Sequence, residues 1–325
     1  MSPRPALAAG HRPAGVPPSF LQKCVASFNT NLNTEPDTPL QCRCSTLVST
    51  LNQWYELWDA VWFVILWQVI LVGWAGMALA MLLFYFVQRH TKNAGIVDFV
   101  WAAGVGVLAV FYATAASGAI ERRILMAILA ATWSLRLALY LLVNRVLGRP
   151  EDGRYEMLRR NWGDKAQAFF FAFFQIQALW AVMFSIPFLP VAYSDASLGL
   201  LDVLAILVWL VAVAGETLAD RQLARFRADP ASRGKTCRIG LWRYSRHPNY
   251  FFEWIHWFTY VCLGFGSPYW WVTLVGPVVM LLFLYKVTGI PYTEKRALES
   301  RGEDYRRYQE TTSPFIPWFP KREAP

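Results

Sequence analysis

The chain has 325 residues, of which 55% are hydrophobic, 16% aromatic and only 16% charged. A soluble domain carries about 25% charged residues, so the composition excludes an ordinary soluble enzyme and points to an integral membrane protein. The formal net charge of +9 does not point to nucleic acid, because the basic residues gather in short loops between apolar runs, which is a topology signal.

Residues 1–59 are polar and rich in Pro, Ser, Asn and Thr, with no sustained apolar period, and read as a disordered tail. They lack the apolar core of a secretory signal. Residues 60–325 form the membrane domain. Candidate spans cover roughly 60–87, 95–116, 122–143, 166–189, 198–217, 250–266 and 268–290, each near the ~20 residues that cross the hydrocarbon core. The short sixth span and its tight Gly264–Pro268 link suggest a helical hairpin. No segment alternates with period two, so a barrel is excluded. The expected fold is an all-α polytopic bundle of about seven helices.

The loops after the third and fifth spans and the C-terminal tail are rich in Arg and Lys, whereas the links after the fourth and sixth spans carry none. By the positive-inside rule the basic loops and the C-terminus are cytoplasmic. The pair Arg122-Arg123 then falls on the outer side, against the rule.

Several polar residues sit where lipid or headgroups would meet them. Asp98 lies a turn into the second span. Arg136 lies deep in the third, where it needs a carboxylate or an anionic ligand. Glu216, Asp220 and Arg227 share one face at the end of the fifth; Arg221 and Arg225 read as snorkelling into the headgroups. Arg149–Tyr155 has turn composition. The stretch Gly240–Glu253 packs Arg243, Tyr244, Arg246, His247, Asn249 and Tyr250 between two apolar runs. Its Pro248 suits the first turn of a helix, so Asn249 and Glu253, four apart, share a face. An intramembrane polar face of this kind is a functional hypothesis. The Pro-rich aromatic segment 312–320 suits the membrane interface.

The sequence lacks a dinucleotide-binding G-x-G-x-x-G in strand–helix context, a Walker lysine motif, H-E-x-x-H and G-x-S-x-G. Gly104 and Gly106 read as helix packing. The four histidines and the scattered cysteines Cys42, Cys44 and Cys262 make no metal site and no disulfide framework. What remains is a cytoplasm-facing pocket of Arg, Tyr, Asn, Asp and Glu at helix ends. Arginines clamp phosphates, so the pocket suits a nucleotide-type cofactor beside a lipid-accessible cavity.

The stretch Gly240–Glu253, Glu294–Arg296, and Tyr305, Tyr308, Pro314-Phe315 and Pro317 resemble the C-terminal domain of steroid 5-alpha-reductases and sterol reductases, here at about 166–320. With Asn93…Trp101, Trp133…Arg136 and Asp152–Tyr155, the chain is most similar to the bacterial DUF1295 branch over about 90–320. The resemblance implies NADPH held between the last helices by Asp220, Arg227, Arg243, Tyr244, Arg246, His247, Asn249, Tyr250, Glu294, Arg296 and Tyr305. It places Asn249 and Glu253 near the nicotinamide, and Asp98 and Tyr155 are assigned to substrate polarisation. Glu216 stands where 5-alpha-reductases have Asn. The expected activity is reduction of an activated C=C bond in a lipid or steroid-like enone, with membrane lipids and a small hydrophobic substrate as partners. Because an R-H-P-x-Y turn also occurs in membrane methyltransferases, S-adenosylmethionine is the alternative cofactor. A non-catalytic protein of the same fold is the third reading.

Overall fold

The computed structural model describes the backbone of residues 39–287 and 289–321 and the side chains of 64–286 and 289–321. It divides into two compact units, Met1–Val69 and Ile70–Pro325. In the first, the backbone is helical from Pro39, so the part of the expected polar tail at 39–59 is helix; residues 1–38 lie outside the described residues. All contacts below lie within the second unit.

The helices are α1 (Pro39–Thr91), α2 (Ile96–Ala115), α3 (Ile120–Leu141), α4 (Gly153–Trp162), α5 (Ala166–Ser185), α6 (Phe188–Ala192), α7 (Leu200–Ala228), α8 (Pro248–His256), α9 (Phe258–Gly264), α10 (Val275–Leu282), α11 (Ile290–Arg301) and α12 (Glu303–Thr311). The described residues contain no strand. Among the described residues six helical stretches are long and apolar enough to cross a membrane: Val64–Thr91, Ile96–Ala115, Ile120–Val146, Gly153–Ser185, Leu200–Ala228 and Trp270–Arg301. In hydrocarbon every backbone N–H and C=O must be satisfied within the protein, and helices do this locally. The large apolar side chains left exposed, such as Leu135, Leu139, Leu179, Leu207 and Val211, are those expected to face lipid.

The expected sixth span, 250–266, is not one helix. It is α8 followed by α9, broken at Trp257, and is too short to count among the six. It still runs from one end of the unit to the other. Asn249 Nδ2 donates to Asp220 at 3.3 Å at the basic end, and the Leu263 carbonyl accepts from Arg122 at 2.5 Å at the opposite end.

Small residues bring α2 and α3 together. The Gly106 N–H donates to Ser134 Oγ at 3.1 Å, and Ser134 Oγ donates to the Ala102 carbonyl. A Cβ on Gly104 would meet Met77, and one on Gly106 would meet Ser134, which is the packing role expected of both. Between the two ends lies an aromatic core of fully buried Trp133, Trp257, Tyr260, Phe184 and Phe188.

Arg122, expected on the outer side against the charge rule, is buried and neutralised. Its guanidinium donates to both Asp202 carboxylate oxygens at 2.9 and 3.1 Å, and to the carbonyls of Ala196, Ser197 and Leu263. Arg123 donates to the carbonyls of Ala113 and Ala116. Neither arginine is a free loop charge, so the topology rule, which counts such charges, does not apply to them.

Candidate functional site

Gly240 begins the site with a φ of +56°, and a Cβ there would meet the Gln222 side chain. This close approach lets the Leu241 N–H donate to Gln222 Oε1 at 2.9 Å and Trp242 Nε1 donate to the Ala219 carbonyl at 2.9 Å. The loop is thereby fixed to α7. Pro248 then opens α8 at its first turn, where its missing N–H costs nothing.

Within this stretch the side chains divide between two tasks. Arg246 and His247 face the C-terminal segment. Arg246 Nε donates to Glu294 Oε1 at 2.7 Å, and Nη1 donates to the carbonyls of Gln309 and Thr312. His247 Nε2 lies 3.2 Å from Glu294 Oε1, and Gln309 Nε2 donates to Glu294 Oε2. Ser245 Oγ donates to the Phe315 carbonyl, and Tyr308 Oη donates to the carbonyls of Trp242 and Ser245. Burial pushes His247 below the usual imidazole range, with the Glu294 contact opposing. Arg246, His247 and Glu294 therefore form a strap anchor, with Tyr305 buried beside Tyr308 at 5.8 Å between ring centres. Residues 312–320 include an outward aromatic group, with Trp318 and Phe319 70% and 77% exposed.

Asn249 and Glu253 face the other way, into a cavity of about 450 Å³. Its inner pole is built from α3, α7 and α8. Arg136 pairs with Glu216 at 2.5 Å and with Asp220 at 2.7 Å. Asn249 binds Asp220, as above. Trp133 Nε1 donates to Glu253 Oε2 at 3.0 Å. The other Glu253 oxygen, Oε1, is buried near Trp257 Nε1, but the two do not meet in hydrogen-bonding geometry. Two carboxyl groups thus share one guanidinium, Glu253 is a third acid nearby, and one Glu253 oxygen is left over. The partner that Arg136 required is supplied by Glu216 and Asp220.

The second pole lies where α2 meets α4. Asp98 accepts from Tyr155 Oη at 2.6 Å and from Arg154 Nη2 at 2.9 Å, with Arg145 3.8 Å away. The segment Arg149–Tyr155 is more than a surface turn. Glu151 accepts from the Ala94 N–H at 2.7 Å and from Arg159. Asp152 caps α4 by accepting from the Arg154 N–H at 3.0 Å. Burial opposes ionisation of Asp152, but the bonds from Arg154 hold its carboxyl below the usual range. Between the poles the wall is apolar, with Trp101, Phe173, Trp180, Phe184, Phe283 and Leu284.

The cavity therefore brings together Asp98, Tyr155, Asn249 and Glu253, with Asp220 and Tyr250 also on its wall. Arg243, Tyr244, Arg246, His247, Glu294, Arg296 and Tyr305 do not line it. Arg243 and Tyr244 are exposed. Arg296 approaches the α4 start at Gly153. Arg227, at the end of α7, is within electrostatic reach of Tyr140, Arg301 and Arg145, and Tyr140 and Arg145 line the cavity. Arg227 thus adds its charge to that of Arg145 on the cavity wall.

The sequence does not single out Arg145, Gln177 or Arg301, and it offers Arg154 only as part of the Arg149–Tyr155 turn. Gln177, buried and on the cavity wall, carried a usable signal, since it is an amide inside the apolar run of α5. Arg145, Arg154 and Arg301 looked like any other loop arginines, and only long-range contacts distinguish them. Among the described residues no His, Cys, Asp and Glu cluster could hold a metal ion.

A family model described as "Protein of unknown function (DUF1295)" matches residues 84–312. No curated protein matches the chain, and no solved structure does.

Proposed function

The chain belongs to the DUF1295 family and is a multi-pass integral membrane protein; on that premise we propose that it is an NADPH-dependent reductase of an activated C=C bond in a hydrophobic, enone-like substrate. The observation that carries this reading is the convergence of Asp98, Tyr155, Asn249 and Glu253, distant in sequence, on one cavity with two polar poles and an apolar wall. By the positive-inside rule the basic end that opens this cavity is the cytoplasmic one, where soluble NADPH is available.

The residues present fit the cofactor. Glu253 Oε1 is a buried oxygen with no hydrogen bond, suited to a carboxamide N–H of the nicotinamide, and Asn249 lies one helical turn away. Arg145 on the cavity wall and Arg227, within electrostatic reach of Arg145 and Arg301, suit the phosphates. Arg246 and His247, on which the methyltransferase alternative rested, are taken up by the strap. When bound, NADPH supplies the reducing equivalent for the β carbon of the enone. The chain's own work is to orient the two partners, exclude water, and stabilise the carbonyl oxygen as it becomes enolate-like. Arg154, held by Asp98, is the hydrogen-bond donor at the second pole; the single Tyr155 Oη proton is committed to Asp98, so Tyr155 fixes that carboxylate in place. The apolar wall accommodates the hydrocarbon part of the substrate.

Thermal-shift titration of detergent-solubilised protein tests the reading. NADPH raises the midpoint, and Asn249→Ala weakens that response by about tenfold in concentration, equivalent to the ~1.4 kcal/mol of one hydrogen bond. A response to S-adenosylmethionine with none to NADPH overturns it.

A further inference from the structure

The part of the α7 surface that carries Leu210, Ala214, Leu218 and Arg221 does not line the cavity. It forms a separate trough of about 330 Å³ lined by Trp209, Leu210, Val213, Ala214 and Leu218, with Arg221 at its basic end. Trp209 is fixed as one wall, because its Nε1 donates to the Leu129 carbonyl at 2.9 Å. One turn beyond Arg221 on the same stripe stands Arg225, and both are exposed. Among the described residues neither guanidinium makes a hydrogen bond or an ion pair. Arg136, Arg154, Arg159 and Arg246 are all paired with carboxylates. The stripe through 210, 214, 217, 218, 221 and 225 carries no acid.

Length and charge identify the occupant. Trp209 and Arg221 are twelve residues apart, about 18 Å along a helix, and one leaflet of hydrocarbon is about 15 Å deep. The trough thus has the depth of a single acyl chain, with two unpaired cations at headgroup level. A second copy of the chain is a poor match. Parallel copies related by a two-fold axis along the membrane normal would set Arg221 and Arg225 against the same arginines. We propose that the outer trough of α7 is a binding site for an anionic phospholipid, with one acyl chain along Ala214 and Leu218 and the phosphate held by Arg221 and Arg225.

Delipidated protein titrated with phosphatidylglycerol and with phosphatidylcholine, with bound lipid counted by native mass spectrometry, tests the site. Wild type retains phosphatidylglycerol in preference to phosphatidylcholine. Each of Arg221→Gln and Arg225→Gln reduces that preference about fivefold, the effect of one interfacial arginine. Ala214→Phe, at an exposed position that fills the trough, lowers retention of both lipids. Arg233→Gln removes an exposed charge elsewhere and leaves retention unchanged. Equal retention of the two lipids by wild type, an undiminished preference in Arg221→Gln/Arg225→Gln, or undiminished retention in Ala214→Phe overturns the proposal.

Discussion

Arg122 and Arg136 lie on the same helix, α3, and both are arginines within the apolar part of the chain, yet they sit in opposite chemical situations. Arg122 is 5% exposed, meets one carboxylate with two bonds, and spends its remaining donors on three carbonyls. Its charge is matched and its donors are used. Arg136 meets two carboxylates, Glu216 and Asp220, with Glu253 as a third nearby acid, and its side chain is 18% exposed. That cluster is over-supplied with acid and opens into a cavity. A closed, balanced cluster contributes to folding; an unbalanced one beside a cavity is where a ligand can supply the missing partners.

Substitution at the two arginines separates these roles most strongly. Arg122→Leu leaves Asp202 buried without its counter-ion and lowers stability by about 3–5 kcal/mol, read as a large fall in the unfolding midpoint in detergent. Cofactor affinity of the surviving folded protein stays near wild type. Arg136→Gln costs less, about 2–3 kcal/mol, because the cavity admits water to Glu216 and Asp220. It shifts NADPH affinity by at least about tenfold, measured by the same titration. Equal ligand effects for the two variants would remove the distinction drawn here.

A smaller effect is expected at the strap. Arg246→Gln breaks the link to Glu294 and weakens the hold on the Gln309 and Thr312 carbonyls, costing about 1.5 kcal/mol. Limited proteolysis then releases the C-terminal segment faster, while cavity affinity changes little. A large loss of NADPH binding without release would return Arg246 to the cofactor site.

The smallest effect is a pH dependence from His247. Burial lowers its pKa in the folded protein, so below about pH 6.5, the ordinary value, the unfolded chain binds the extra proton. Stability from this group is therefore complete above that pH and falls as the solution is acidified. His247→Gln flattens this part of the midpoint-against-pH curve, and an unchanged curve counts against the assignment.

The hydropathy pattern made most of the fold legible, because a helix in lipid is specified by its own run of apolar residues. The broken passage α8–α9 was less so. Its residues read as one span, and the interruption falls at Trp257, whose ring packs against Trp133 and Phe184 of other helices. At the site, the Asn249–Glu253 pair was readable because both residues lie on one helical turn. The tie between Asp98, Arg154 and Tyr155 joins positions 56 and 57 residues apart, and no local spacing encodes it. Arg246 illustrates the converse: a conspicuous charge in a conspicuous motif, which the fold directs to the C-terminal strap.

The sequence by itself determined that the protein is an all-α membrane protein, which end of it is basic, and which turn of helix carries Asn249 and Glu253. These are properties of consecutive residues and their periodicity. Only the tertiary structure decided which charges are spent and which are left over. Whether an arginine is Arg122 or Arg136 depends on acids and carbonyls contributed by other helices, and those meet only when the bundle has formed.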